Sequence, residues 1–88
     1  MQPEDLSQGA KEILIKALEA DKGNIKYIDM GESHSILIDG KKLTNSEDDK
    51  YLEALNKLIK SRLIQKKQLE SNIYQLTEDG RKLAEDIQ

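Results

Sequence analysis

The apolar residues of this chain change their spacing four times along 88 positions, and each change narrows what it can fold into. Leu6, Ala10, Ile13, Leu14, Ala17 and Leu18 recur at the three- and four-residue intervals of one helix face. From Asn24 the interval drops to two: Ile25 and Tyr27 alternate with Ile28 and Met30, then Ile36 and Ile38 with Leu37. Tyr51, Leu52, Leu55, Leu58, Ile59 and Leu63 restore the helical interval. Segments 64–69 and 72–76 read as strands again, and Leu83, Ala84 and Ile87 mark a last helix. The expected order is helix, β-hairpin, helix, β-hairpin, helix, which is the α+β class with helices packed on one side of antiparallel ribbons. Eighty-eight residues suffice for one domain, spanning 1–88 or cut from a larger protein.

Local signals punctuate these segments. Asp5 or Ser7 can cap a first helix over 7–21, and Gly23 can end it. Gly31-Glu32-Ser33 reads as a turn, and Asp39-Gly40 is a two-residue hairpin signal because both positions tolerate positive φ. Lys41-Lys42-Leu43 can follow as a short third strand. Thr44, Asn45 or Ser46 can cap a second helix over 47–63, whose positive end Glu47, Asp48 and Asp49 would favour. Glu70-Ser71 would join the last two strands, and Thr77 would cap the final helix. One core is expected to gather Ile13, Leu14, Leu55, Leu58, Tyr74 and Leu76.

That core must be aliphatic, since the chain has twelve Leu and ten Ile but no Phe or Trp. It has no Cys, so disulfides and thiolate chemistry are absent and no structural zinc site is expected. No run of apolar residues approaches a membrane span. Met1-Gln2-Pro3-Glu4-Asp5 lacks the basic and apolar regions of a secretory signal, so a cytoplasmic setting is expected. The five glycines are scattered, which gives no phosphate-cradling loop. His34, the one histidine, lies beside Glu32 and Asp39; it is expected to be exposed at the turn, because a metal needs three or four convergent ligands. Ser33 and Ser35 beside it lack the third group a triad requires. No catalytic residue, metal or cofactor is expected.

The net charge of −3 is unevenly spread. Residues 1–49 hold six Lys against eleven Asp and Glu, whereas 50–88 hold eight Lys and Arg against six. Between Glu53 and Glu70 there is no acid, while Lys57, Lys60, Arg62, Lys66 and Lys67 fall in that interval. Such a run can contact nucleic-acid phosphates. It can equally complement the negative end of a helix dipole and keep an edge strand from aggregating. With Arg62 and Arg81 the only arginines, bidentate base readout has little to work with; without Phe or Trp, so has single-strand stacking.

Ala54, Leu55, Leu58, Leu63 and Ile64, then Ile73-Tyr74-Gln75-Leu76-Thr77-Glu78-Asp79-Gly80 and Leu83-Ala84, resemble the winged-helix families of bacterial regulators. The tail matches the pattern Y-x-L-T-x-x-G-x-x-x-A, seen where a wing strand runs into the last helix. The resemblance covers a little over a third of the chain and implies a winged-helix-like fold. It also implies a helix that is laid against DNA, here 47–63, with 64–76 as the wing. A winged helix carries two helices before its wing, whereas here 24–43 reads as strand. The whole is similar to small C-terminal accessory domains of larger bacterial proteins. Together with the basic run, the expected reading is a non-catalytic module contacting double-stranded DNA through Lys57, Lys60, Arg62, Lys66 and Lys67. The alternative is a protein-interaction or oligomerisation module. In that reading Tyr27, Met30, Ile36 and Ile38 of the two-faced apolar hairpin form the contact, and a weak homodimer is expected.

Overall fold

A computed structural model describes residues 6–43, 48–68 and 72–88. The first helix, α1, spans Gln8–Glu19, where the Ser7 side chain accepts the Ala10 N–H at 3.2 Å and so caps it. It stops two residues short of the expected 21. Strands β1 (Ile25–Asp29), β2 (His34–Ile38) and β3 (Lys41–Lys42) form an antiparallel meander. Asp39 and Gly40 close the β2–β3 turn at φ 51° and 86°, the doubly positive geometry of a two-residue hairpin.

Helix α2 covers Asp49–Lys60, with Asp48 as its cap. The expected caps Thr44, Asn45 and Ser46 lie outside the described residues. Strands β4 (Ile64–Lys66) and β5 (Ile73–Leu76) then lead into α3 (Glu78–Ile87), capped by Thr77 through the Gly80 N–H at 3.1 Å.

The two ribbons merge. β1 pairs with β5 as well as with β2, so all the strands form one sheet in the order β3-β2-β1-β5-β4. The junction pairs Ile25 with Tyr74 and Lys26 with Ile73. Beyond it the Tyr27 N–H donates to the Asn72 carbonyl at 3.1 Å, and the Asn72 side chain donates back to the Tyr27 carbonyl at 2.7 Å.

The helices lie on one face of this sheet. Ile13, Leu14 and Ala17 of α1, Ala54, Leu55 and Leu58 of α2, and Leu83 and Ala84 of α3 pack on Ile25, Ile36 and Ile64. Tyr74 and Leu76 join this core from its margin, half-buried. The Tyr51 hydroxyl donates to the Glu12 carboxylate at 2.6 Å and ties α2 to α1. That bond, with burial, pushes the phenol up to about 12.

His34 departs from expectation. It is buried at the head of β2, with Nε2 3.4 Å from the Asp48 carbonyl. Strand alternation turns it to the helix side, because it shares the phase of Ile36 and Ile38.

α3 is held by a close approach of backbone. A Cβ added to Gly80 would lie 1.9 Å from the Leu63 carbonyl oxygen. That same carbonyl accepts the Thr77 N–H at 3.0 Å, and the Thr77 hydroxyl donates to the Arg62 carbonyl at 2.7 Å. Gly80→Ala is therefore expected to destabilise the domain by about 2–3 kcal/mol or more, because a backbone atom cannot yield as a side chain does. Urea denaturation checks this, and an unchanged midpoint would place α3 farther from the α2–β4 corner.

Asp39 links the turn to the loop behind α1. Its carboxylate accepts the Lys22 and Asn24 N–H groups, each at 2.9 Å, and these bonds hold its pKa below the usual range. Stability from a depressed carboxylate is complete above the unfolded pKa and disappears as pH falls through the folded one. Asp39→Asn preserves the turn but supplies a weaker, neutral acceptor. The variant should be less stable than the parent at pH 7, and the gap should be narrower at about pH 2, below the ordinary carboxylate range. Paired urea titrations at the two pH values measure it.

Candidate nucleic-acid interface

The basic run folds into one corner and the strand that leaves it. Lys57 and Lys60 stand in the last turn of α2, one helical turn apart on its outer side. The chain then reverses through Ser61 and Arg62 into β4, an edge strand of the sheet. Lys57, Lys60, Arg62, Lys66 and Lys67 are all exposed, and none of their side chains has a hydrogen-bond or ion-pair partner among the described residues. Lys66 shares the phase of Ile64, so it stands on the helix side of the sheet with the α2 residues. Lys67 falls in the opposite phase and points to the other face. The structure thus keeps Lys66 on the side of α2 and turns Lys67 away from it.

The reversal is strained at the residue that carries the charge. The Leu63 N–H donates to Leu58 O at 3.0 Å and the Arg62 N–H to Ile59 O at 3.1 Å, the paired bonds of a Schellman helix end. That motif needs a left-handed residue, usually Gly, and here Arg62 occupies it at φ 60°. Sequence reading assigned Arg62 to the basic run without this conformation, since no glycine marks the helix end.

Acids bound the site on one side. Asp49 and Glu53 are exposed on the outer face of α2, two turns and one turn before Lys57 respectively. The acid-free part of α2 is therefore its C-terminal half, where Lys57 and Lys60 complement the dipole.

The hairpin residues expected to form a protein contact do not share a surface. Ile36 is completely buried under the helices and Ile38 is 7 % exposed on the same face. Tyr27 packs against the core from its edge, while Met30 is 59 % exposed beyond the end of β1. Of the four, Met30 alone is freely exposed. The reason is phase: Ile36 and Ile38 follow Ile25 and Tyr27 across the ladder, and this is the face the helices cover. Among the described residues no helix packs on the other face, which takes Lys26, Ile28, the buried Ser35, Leu37 and Ile73, residues whose common position depends on the β1–β5 junction.

Among the described residues no helix is long and apolar enough to cross a membrane, and no group of three or more His, Cys, Asp or Glu converges as a metal site would require. Comparison of this chain with protein-family models, with curated proteins and with solved structures found no match.

Replacing Arg62 by Gly separates conformation from charge. The variant is expected to unfold at the same or a slightly higher temperature, because relief of about 1–2 kcal/mol of left-handed strain exceeds the roughly 0.5–1 kcal/mol entropic cost of glycine. A clear drop in unfolding temperature would mean that the guanidinium itself holds the corner.

Proposed function

We propose that this chain is a non-catalytic, winged-helix-like module that contacts double-stranded DNA through the α2–β4 corner, with β4 and β5 as its wing. The observation that carries the reading is the cluster of Lys57, Lys60, Arg62 and Lys66. These side chains are exposed and have no hydrogen-bond or ion-pair partner among the described residues, in an otherwise acidic chain. Arg62 supports it further: a charged residue kept in a left-handed site where Gly would be easier is a cost that a contact role explains. The β4–β5 ribbon running into α3 through Thr77 and Gly80 fits the same family resemblance.

The contact expected is electrostatic and weak. Asp49 and Glu53 on the outer face of α2 disfavour laying the whole helix in a groove, because they would oppose phosphates. Lysines offer point charges without bidentate geometry, so affinity should depend little on sequence. Four engaged cations give a log–log salt slope no steeper than about −3.6. Affinity at physiological salt should be about micromolar or weaker, the range of non-specific binding.

Fluorescence anisotropy with a random-sequence duplex at low salt tests this directly. The Lys60→Gln, Lys66→Gln double variant should bind every duplex less tightly and flatten the slope by about two units. Absence of binding at about 100 µM protein in low salt, where phosphate contacts are strongest, would overturn the reading.

A further inference from the structure

The chain contains two Asp-Gly dipeptides, Asp39-Gly40 and Asp79-Gly80, which local sequence alone does not rank. Such a pair can rearrange. The glycine nitrogen attacks Cγ of the preceding, protonated carboxyl. A C–N bond forms, a C–O bond breaks and water leaves, closing a five-membered succinimide. Water then adds back at either ring carbonyl, restoring the aspartyl linkage or giving an isoaspartyl one. Glycine hinders the step least because it has no Cβ. The rearrangement needs no cofactor or oxidant, only an unengaged nitrogen, a carboxyl able to turn toward it and a backbone able to close the ring.

The fold treats the two sites differently. Gly80 is buried in the first turn of α3, its N–H donates to Thr77 Oγ1 at 3.1 Å, and the Leu63 backbone lies against it. Ring closure at Asp79 would require α3 to unwind. Gly40 is exposed in the β2–β3 turn, with open space where a Cβ would stand. Its N–H has no hydrogen-bond partner among the described residues. What restrains this site is the Asp39 carboxylate itself. Its Oδ2 accepts the Lys22 N–H and its Oδ1 the Asn24 N–H, each at 2.9 Å. The Asp39 N–H donates in turn to the Asn24 carbonyl at 2.9 Å, and Asn24 Oδ1 accepts from Gln75 Nε2 at 3.0 Å. Gly23, at φ 67°, gives the loop the left-handed bend between its two donors. While this loop is closed, both carboxylate oxygens are committed to it, and an ionised carboxyl expels no water.

We infer that Asp39 is a site of spontaneous isoaspartate formation gated by the 22–24 loop, whereas α3 protects Asp79. Asp39 reacts from the state in which the loop has released its carboxylate. The product cannot return to the clamp. An isoaspartyl linkage adds one carbon to the backbone of a two-residue turn and leaves the carboxyl directly on Cα. The bonds to Lys22 and Asn24 are then lost, and the end of α1 is untied from the sheet. This site is independent of the α2–β4 corner and of any reading of that corner.

The test is incubation of the chain in warm neutral buffer, followed by peptide mapping with fragmentation that distinguishes the two linkages. Each site's rate is divided by its own rate in guanidinium chloride, which removes the influence of neighbouring residues. Asp39 should convert about tenfold more slowly in the folded chain, the fraction of time that so lightly held a loop is open. Asp79 should not convert measurably, because its opening requires loss of α3. Equal relative rates at the two sites, or a faster one at Asp79, would overturn the inference. So would absence of isoaspartate at Asp39 over a period in which the denatured chain converts. Gly23→Ala places a side chain at the left-handed bend, 3.0 Å from the Ala17 carbonyl oxygen, and should speed Asp39 severalfold without affecting Asp79. Acceleration at both sites would mean that this variant unfolds, and Lys22→Pro, which removes one donor, then decides. An unchanged Asp39 rate in a folded variant would overturn the gate. The isomerised chain, separated by chromatography, should unfold at lower urea with shifted amides at 22 and 24; an unchanged midpoint and spectrum would show that the clamp does not depend on this linkage.

Discussion

The contact between Gly80 and the Leu63 carbonyl is the constraint on which the arrangement of the C-terminal half depends. A backbone oxygen occupies the space where any other residue would carry a Cβ. Two hydrogen bonds from Thr77, one from its N–H and one from its hydroxyl, hold the same corner from the other side. The start of α3 is thereby set against the end of α2, with no side chain between them to adjust the spacing. This sends α3 back over the sheet, where it meets α1 on the face that α2 also covers. The corner that receives Gly80 is also the one that displays Arg62, so the residue that fixes the fold and the residue that carries the charge are joined through two consecutive carbonyls.

The second determinant is the β1–β5 junction. It links a strand near residue 25 to one near residue 74 and turns two separate ribbons into one sheet. A continuous sheet has two faces, and three short helices cover only one of them. The consequence is a division of labour along each strand. Ile25, Ile36 and Ile64 go to the core, and their neighbours in sequence, Lys26, Leu37 and Gln65, go to the open side. Alternation brings lysines distant in sequence into a single row, and the same geometry keeps Asp29 off that side.

The two surfaces differ in chemistry. The α2–β4 corner is cationic with little apolar surface, which suits a charged, hydrated polymer. The other sheet face interleaves lysines with half-buried aliphatics. Lys67 borders both by position but belongs to the second by phase.

The sequence by itself determined the elements and their punctuation. Helical spacing from Leu6 to Leu18 and from Tyr51 to Leu63, alternation from Ile25 to Ile38, and the Asp39-Gly40 turn are local effects that neighbouring residues decide, and each has its counterpart in the structure. Thr77 as a cap was legible for the same reason. Only the tertiary structure decided which face of each strand the helices would cover. Ile36 and Ile38 read equally well as a contact surface or as core, since a period of two does not say which side is inside. The pairing of β1 with β5 left no local trace, because registry between segments nearly fifty residues apart is chosen by the burial of the whole. His34 followed from that choice and was carried inward with the phase of its strand. The row through Lys42, Lys26 and Lys67 could not be seen before the sheet was assembled, because these residues become neighbours only once non-local strand pairing has aligned them.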